Sequence, residues 1–275
     1  MFDLLRARLA QGRQTVPFPS DAITFPERFR GRPIVERDGR AALDLGACLF
    51  APEDVTDTPE RRVAFTHDYR LSSRTRDGLV SRDGPLDMLA PLDQRMQRLL
   101  GRSLRLRSVV AGSCNGCEAE LTAASNVVFD MARFGVQFVA SPRHADGIVI
   151  TGAVNVNMRD ALERTYAAVP DPRIVIAVGA CAASGGPFRG SDEAGTGVPE
   201  SIPVDLWIAG CPPHPLTILD GLLRLLGRIE RGDRHPTANQ SNTADTAGSI
   251  AAAPSGQSAQ DDNRALIMPF YPGTR

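Results

Sequence analysis

Five cysteines stand out in this 275-residue chain: Cys48, Cys114, Cys117, Cys181 and Cys211. An odd number in a chain of this size reads as metal ligation rather than a disulfide framework. Cys114 follows VVAGS, Cys181 follows IVIAVGA and Cys211 follows VDLWIAG, while Cys117 comes one helical turn after Cys114. Cys114, Cys181 and Cys211 thus each sit a few residues beyond an apolar run of strand character, in turns flanked by Gly112, Gly116, Gly179 and Gly210. Ordinary core cysteines lie within strands, so thiols placed repeatedly in the turns after them read as ligands. Four converging thiolates suit Zn²⁺ or an iron–sulfur cluster. The spacing, one CxxC joined by single cysteines after 63 and 29 intervening residues, leaves both open. Cys211-Pro212-Pro213 favours a cluster, because Pro after a ligating Cys recurs in ferredoxin motifs.

The elements that must position these thiols follow from the apolar pattern. Strands are expected at 104–110, 136–140, 147–150, 174–178 and 204–208, several of them continuous β-branched runs of the kind buried on both faces of a parallel sheet. Helices fit between them at 118–131, 156–168 and 215–229, the last with Leu216, Leu219, Leu222, Leu223 and Leu226 on one side and Pro215 suited to its first position. Alternating strands and helices imply a doubly wound α/β layer, whose strand carboxyl ends share one edge where ligands bind.

The rest of the chain is less periodic. Residues 1–16 space Phe2, Leu5 and Leu9 as a short amphipathic helix, expected to pack on its own domain. Residues 17–100 are rich in Pro, Arg and Asp and read as loop-rich, and 232–275 reads as a mostly disordered tail. The chain carries 31 basic residues, all Arg, against 32 acidic ones, so its net charge of −1 argues against nucleic acid as a partner. No run approaches the roughly 18 apolar residues of a transmembrane helix. The start, with Asp3 and Arg6 in its first turns, lacks the form of a secretory signal, so a cytoplasmic location is expected.

GSCNGCEAELTAASNVVFDMARFGVQFVASPRHADGIVITGAV, then PDPRIVIAVGACAASGG, then IPVDLWIAGCPPHPLTILDGLLRLLG together resemble one family. It is the iron–sulfur subunit shared by respiratory complex I and the membrane-bound, energy-converting [NiFe] hydrogenases, including the formate hydrogenlyase small subunit. The resemblance covers about residues 101–230. It implies a flavodoxin-like domain that binds one [4Fe-4S] cluster through Cys114, Cys117, Cys181 and Cys211. It also implies a large subunit as partner, further membrane and ferredoxin-like subunits, and a peripheral place on the cytoplasmic face of the inner membrane. The complex I branch carries adjacent cysteines at the first ligand position, whereas Cys114-Asn115-Gly116-Cys117 looks like the hydrogenase side. Residues 17–100 are similar to the two-cluster ferredoxin subunit of the same complexes, with DLGAC and RVAF phrasing kept but only Cys48 left at a ligand position. One thiolate cannot hold a cluster, so this segment is expected to bind no iron, with Cys48 a buried leftover.

Further candidates lie around the thiols. Arg143 and His144 could sit near the cluster and raise its potential, or be exposed loop residues. Glu118 and Glu120 could transfer protons or simply complement a helix dipole, and His214 has a similar standing. No residue reads as a substrate-binding catalyst. The chain is expected to be a non-catalytic electron-transfer subunit of an oxidoreductase, of hydrogenase or NADH:quinone oxidoreductase type. The competing reading is a structural docking subunit, suggested by the stripped ferredoxin-like segment. A further subunit is expected over the cluster edge, on the 118–131 helix, the PRHAD loop and the GCPP turn, because the chain has too few aromatic residues for a lid of its own.

Overall fold

The structure, a computed structural model, describes residues 2–12, 14–19, 23–36, 43–54, 56–57, 62–81, 89–101 and 103–229. The chain divides into units Met1–Ala238 and Asn239–Arg275; the second lies outside the described residues, as does the expected tail. Helix α1 (Phe2–Gln11) opens the first unit, followed by short strands β1 (Pro33–Glu36), β2 (Leu43–Asp44), β3 (Thr56–Asp57), β4 (Arg62–Phe65), β5 (Ser72–Ser73) and β6 (Val80–Ser81). Helix α2 (Gln94–Leu100) leads into β7 (Leu104–Val110), α3 (Gly116–Ala124), β8 (Val136–Phe138), β9 (Gly147–Thr151) and α4 (Val156–Ala168). Strand β10 (Ile174–Val178), α5 (Gly179–Ser184), β11 (Leu206–Ile208) and α6 (Pro215–Leu225) complete it. Among the described residues no helix is long and apolar enough to cross a membrane.

The main sheet runs β5-β11-β10-β9-β7-β8. Its last five strands are parallel, and taken from β7 onward their order is 2-1-3-4-5, that of a flavodoxin-like doubly wound sheet. The apolar runs of β9 and β10 are buried at every position, as central parallel strands covered on both faces must be. Register is fixed by pairs such as Val110 with Thr151 and Val178 with Ile208 at the carboxyl ends, and Leu106 with Gly147 at the amino ends.

Three elements depart from the sequence pattern. Helix α3 stops at Ala124 rather than near Met131, because the Asn126 side chain accepts from the N–H groups of Val128 and Phe129, and Asp130 turns into the left-handed region. Helix α1 does not pack on its domain: none of its residues is buried, and Phe2 is 83% and Leu9 76% exposed. Helix α6 is buried on all sides rather than on a stripe. The cover comes from the front of the chain, where Phe18, Phe25, Tyr69, Leu89 and Leu92 join the core around Leu216, Leu219 and Leu222. Strand β5 extends the same merger by pairing antiparallel with β11. Described residues of the front segment therefore share one core with the cysteine-bearing sheet.

Candidate functional site

All three thiol-bearing turns lie at the carboxyl edge of the sheet. Cys114 follows β7 by four residues and is exposed; Asn115, in the left-handed region, then swings the chain into α3, whose first turn holds the buried Cys117. Cys181 sits buried in α5, directly after β10, and Cys211 lies half-buried beyond β11. The turns interlock, since the Ala180 N–H donates to the Gly210 carbonyl at 2.9 Å. Two glycines make room for sulfur. A methyl group on Gly179 (φ +89°) would meet Cys117 Sγ at 2.5 Å, and one on Gly186 (φ +56°) would meet Cys181 Sγ at 2.7 Å. Positive φ and the crowding together exclude a side chain at either position.

Burial and mutual proximity hold the Cys117, Cys181 and Cys211 thiols protonated. Cys181 is pushed up to about 11, first by burial and then by Cys211 and Cys114. Cys117 is raised further, again by burial first, then by Glu118 and the three other cysteines. Cys211 rises through burial, Cys114 and Asp54. A bound cationic centre would reverse this and make all four thiolates. Among the described residues no three His, Cys, Asp or Glu side chains are gathered closely enough to hold a single metal ion. The donor set is all sulfur, with backbone cleared beside two of the sulfurs, and its chemistry is that of iron–sulfur ligation.

The surrounding candidates separate. Glu118 is tied into the edge: Ser113 Oγ donates to it at 2.8 Å, and Thr151 Oγ1, at the end of β9, donates to its other oxygen. The carboxylate thereby joins the turns after β7 and β9. Glu120 is half-buried and its carboxyl is raised by burial. His214 is not a charged neighbour of the thiols. It caps α6, its Nδ1 accepting from the Leu216 N–H at 3.2 Å, and its ring lies edge-on to Phe25, Phe29 and Phe129 at 5.5–5.6 Å. Burial lowers it to about 4, so it is neutral near pH 7.

Arg143 and His144 lie in the connection from β8 to β9. They occupy a single 3₁₀ turn (Pro142–His144) that leads into the amino end of β9, where the Asp146 N–H donates to the Arg105 carbonyl at 2.7 Å. Both are exposed.

Cys48 is 5% exposed, in the loop after β2. Its Sγ donates to Asp54 Oδ2 at 3.5 Å and accepts from the Phe50 N–H at 3.3 Å, and burial pushes it up to about 12. Sequence reasoning misses Ser113, Thr151 and Asp54. Ser113 adjoins Cys114, a signal that could have found it, whereas Asp54 comes near Cys211 only through the fold.

A family model described as NADH ubiquinone oxidoreductase, 20 Kd subunit, matches residues 114–225, which include all four edge cysteines. The "Probable membrane-bound hydrogenase subunit mbhJ" of Pyrococcus furiosus is 40% identical over 157 residues, 55% of this chain and 94% of the relative. Formate hydrogenlyase subunit 7 of Escherichia coli is 40% identical over 145 residues, and the match spans 53% of this chain but only 57% of that protein. A subunit of the NADH-quinone oxidoreductase of Heliobacterium modesticaldum is 45% identical over 115 residues, 42% of this chain and 66% of the relative. Among solved structures, a chain of the membrane-bound sulfane sulfur reductase, an archaeal respiratory membrane complex, aligns at 32% identity with a TM-score of 0.44, covering 55% of this chain and 84% of that one.

Proposed function

Because this chain belongs to the NADH ubiquinone oxidoreductase 20 Kd subunit family, we propose that it is the electron-transfer subunit of a membrane-associated, hydrogenase-like oxidoreductase complex. In this reading Cys114, Cys117, Cys181 and Cys211 hold one [4Fe-4S] cluster, which when bound takes up and releases one electron at a time. The observation that carries it is the meeting of three thiol-bearing turns, with four cysteines among them, at one sheet edge.

The chain's own residues bind, brace and shield. Cys117 and Cys181 provide buried sulfur, while Glu118, held by Ser113 and Thr151, fixes the turn that presents Cys114. His214 caps α6 and anchors the turn after Cys211 among three aromatic rings. The exposed Cys114 side is the face for a large subunit. Val156 and Phe188, which follow the carboxyl ends of β9 and β10, are 51% and 43% exposed and supply apolar contact there. The CxxC spacing supports the hydrogenase side of the family over the complex I side. The place of such a complex is the cytoplasmic face of the inner membrane, and residues 17–100 descend from a ferredoxin-like subunit that no longer binds iron.

The reading is tested on anaerobically purified full-length chain. Roughly four iron and four labile sulfide per chain, with broad absorption near 400 nm, are expected for Cys₄ ligation. One equivalent of zinc without sulfide would contradict it.

A further inference from the structure

The loop after β2 is fastened to the turns that carry Cys181 and Cys211. Asp44 takes two hydrogen bonds from Arg76, Nη1 and Nη2 each at 2.7 Å, while Arg76 Nε donates at 2.8 Å to the carbonyl of Ala183, two residues after Cys181. Leu45 and Phe50 pack in one apolar cluster with Ala183, Trp207 and Ala209, the last two shortly before Cys211. Arg30 Nη1 donates to the Phe50 carbonyl at 2.5 Å and fixes the far end of the loop. Beyond it, the Asp54 carboxylate is oriented by two donors on one oxygen, the Ala51 N–H at 2.7 Å and Cys48 Sγ at 3.5 Å. Asp54 and Cys48 both lie within electrostatic reach of Cys211.

We propose that residues 43–54 form a built-in polar cover over the Cys181–Cys211 side of the cluster, and that Asp54, as a positioning residue for charge, holds the cluster's reduction potential down. The inference rests on the cluster reading given above. Its physics is Coulombic. Reduction adds one negative charge to the cluster and its thiolates, and a fixed carboxylate near one of those thiolates disfavours the added charge. The front segment then retains a redox role without ligating iron, since it sets the field at a centre held by the other half of the chain.

The test is an EPR-monitored redox titration of the full-length chain. Asp54→Asn is isosteric and keeps an acceptor for the Ala51 N–H, so the cover stays in place while the charge is removed. At a fixed ambient potential near the midpoint, the reduced-to-oxidised ratio should rise about tenfold, which is a midpoint shift of about +59 mV for a one-electron couple. Asp54→Glu should stay close to the wild-type ratio, and Glu163→Gln, an exposed acid of α4, should not move it. Ala51→Arg keeps the backbone donor and adds an opposing charge, and should shift the midpoint upward as well. A wild-type midpoint in Asp54→Asn at full iron and sulfide content would overturn the proposal. Loss of iron in Asp54→Asn together with an unmoved midpoint in Ala51→Arg would make Asp54 a structural residue only and would overturn it equally. Zinc or absent sulfide in the wild-type chain would instead sink the cluster reading, before any potential is read.

Discussion

The cysteine-bearing sheet and the segment in front of it solve the same problem, holding chain against chain, by different means. In residues 104–225 the central strands β9 and β10 bury their whole length, so backbone ladders and apolar packing fix the geometry and the turns are free to carry thiols. Among the described residues of 14–101 the strands are two to four residues long, and polar contacts do the fastening: Asp44 with Arg76, and Asp68 with Arg70 at 2.7 Å. A region that is mostly turns has many unpaired backbone groups, and charged side chains on neighbouring turns satisfy them. The difference teaches that the front segment is stable because of the sheet it covers, and that the sheet's last helix is buried because of the front segment.

The junction between the two regions offers the largest effect. Asp220 and Arg224 are 1% and 3% exposed inside α6, with Arg224 Nε at 2.9 Å from Asp220 Oδ1, and the buried Tyr69 of the front segment lies within reach of both charges. Burial raises the Asp220 carboxyl, and Arg224 pulls it back. Asp220→Ala would leave a guanidinium buried without its carboxylate, so a loss of about 3–5 kcal/mol is expected in denaturant unfolding. A loss below about 1 kcal/mol would show that water reaches this junction and that the two regions pack less tightly than described.

The second effect sharpens the comparison through pH. His214 is held neutral in the folded chain, at about 4, against 6.5 for the unfolded one, so the unfolded state binds more protons between those values. Stability is therefore complete above about pH 6.5 and falls as pH drops toward 4, by roughly 1–3 kcal/mol after allowing for partial solvent contact. His214→Asn keeps a side-chain acceptor at the N-cap and removes the titration. Its midpoint of unfolding should change less than that of the wild-type chain between pH 7 and pH 5. Equal pH dependence in both would remove His214 as the cause.

What the sequence makes legible divides along the same line. The strands after which the thiols fall, and helix 156–168, can be read because continuous apolar runs and 3.6-residue periodicity report burial directly. The apolar pattern overshoots the end of α3 because residues 127–129 continue the helical composition, whereas the Asn126 side chain captures the backbone and ends the helix. The front segment is hardly legible at all. Phe18, Phe25 and Tyr69 are isolated in sequence and acquire a meaning only against α6, a partner more than a hundred residues away. The approach of Asp54 to Cys211 likewise has no local signature.

The smallest effect belongs to α1. With none of its residues buried, removal of residues 2–11 should change the unfolding free energy by no more than about 0.5 kcal/mol. A larger loss would mean that the helix packs on one of the two regions after all.

Cys181 and Cys48 allow the most direct measurement, since each is a buried thiol, 6% and 5% exposed, and each belongs to a different region. Iron and labile sulfide per chain are to be measured side by side in Cys181→Ser and Cys48→Ser. Serine at position 48 still donates to Asp54, so the cover is kept. The account predicts that Cys48→Ser retains the wild-type content of both elements and that Cys181→Ser loses most of each. Full content in Cys181→Ser, or a loss in Cys48→Ser as large as in Cys181→Ser, would contradict it.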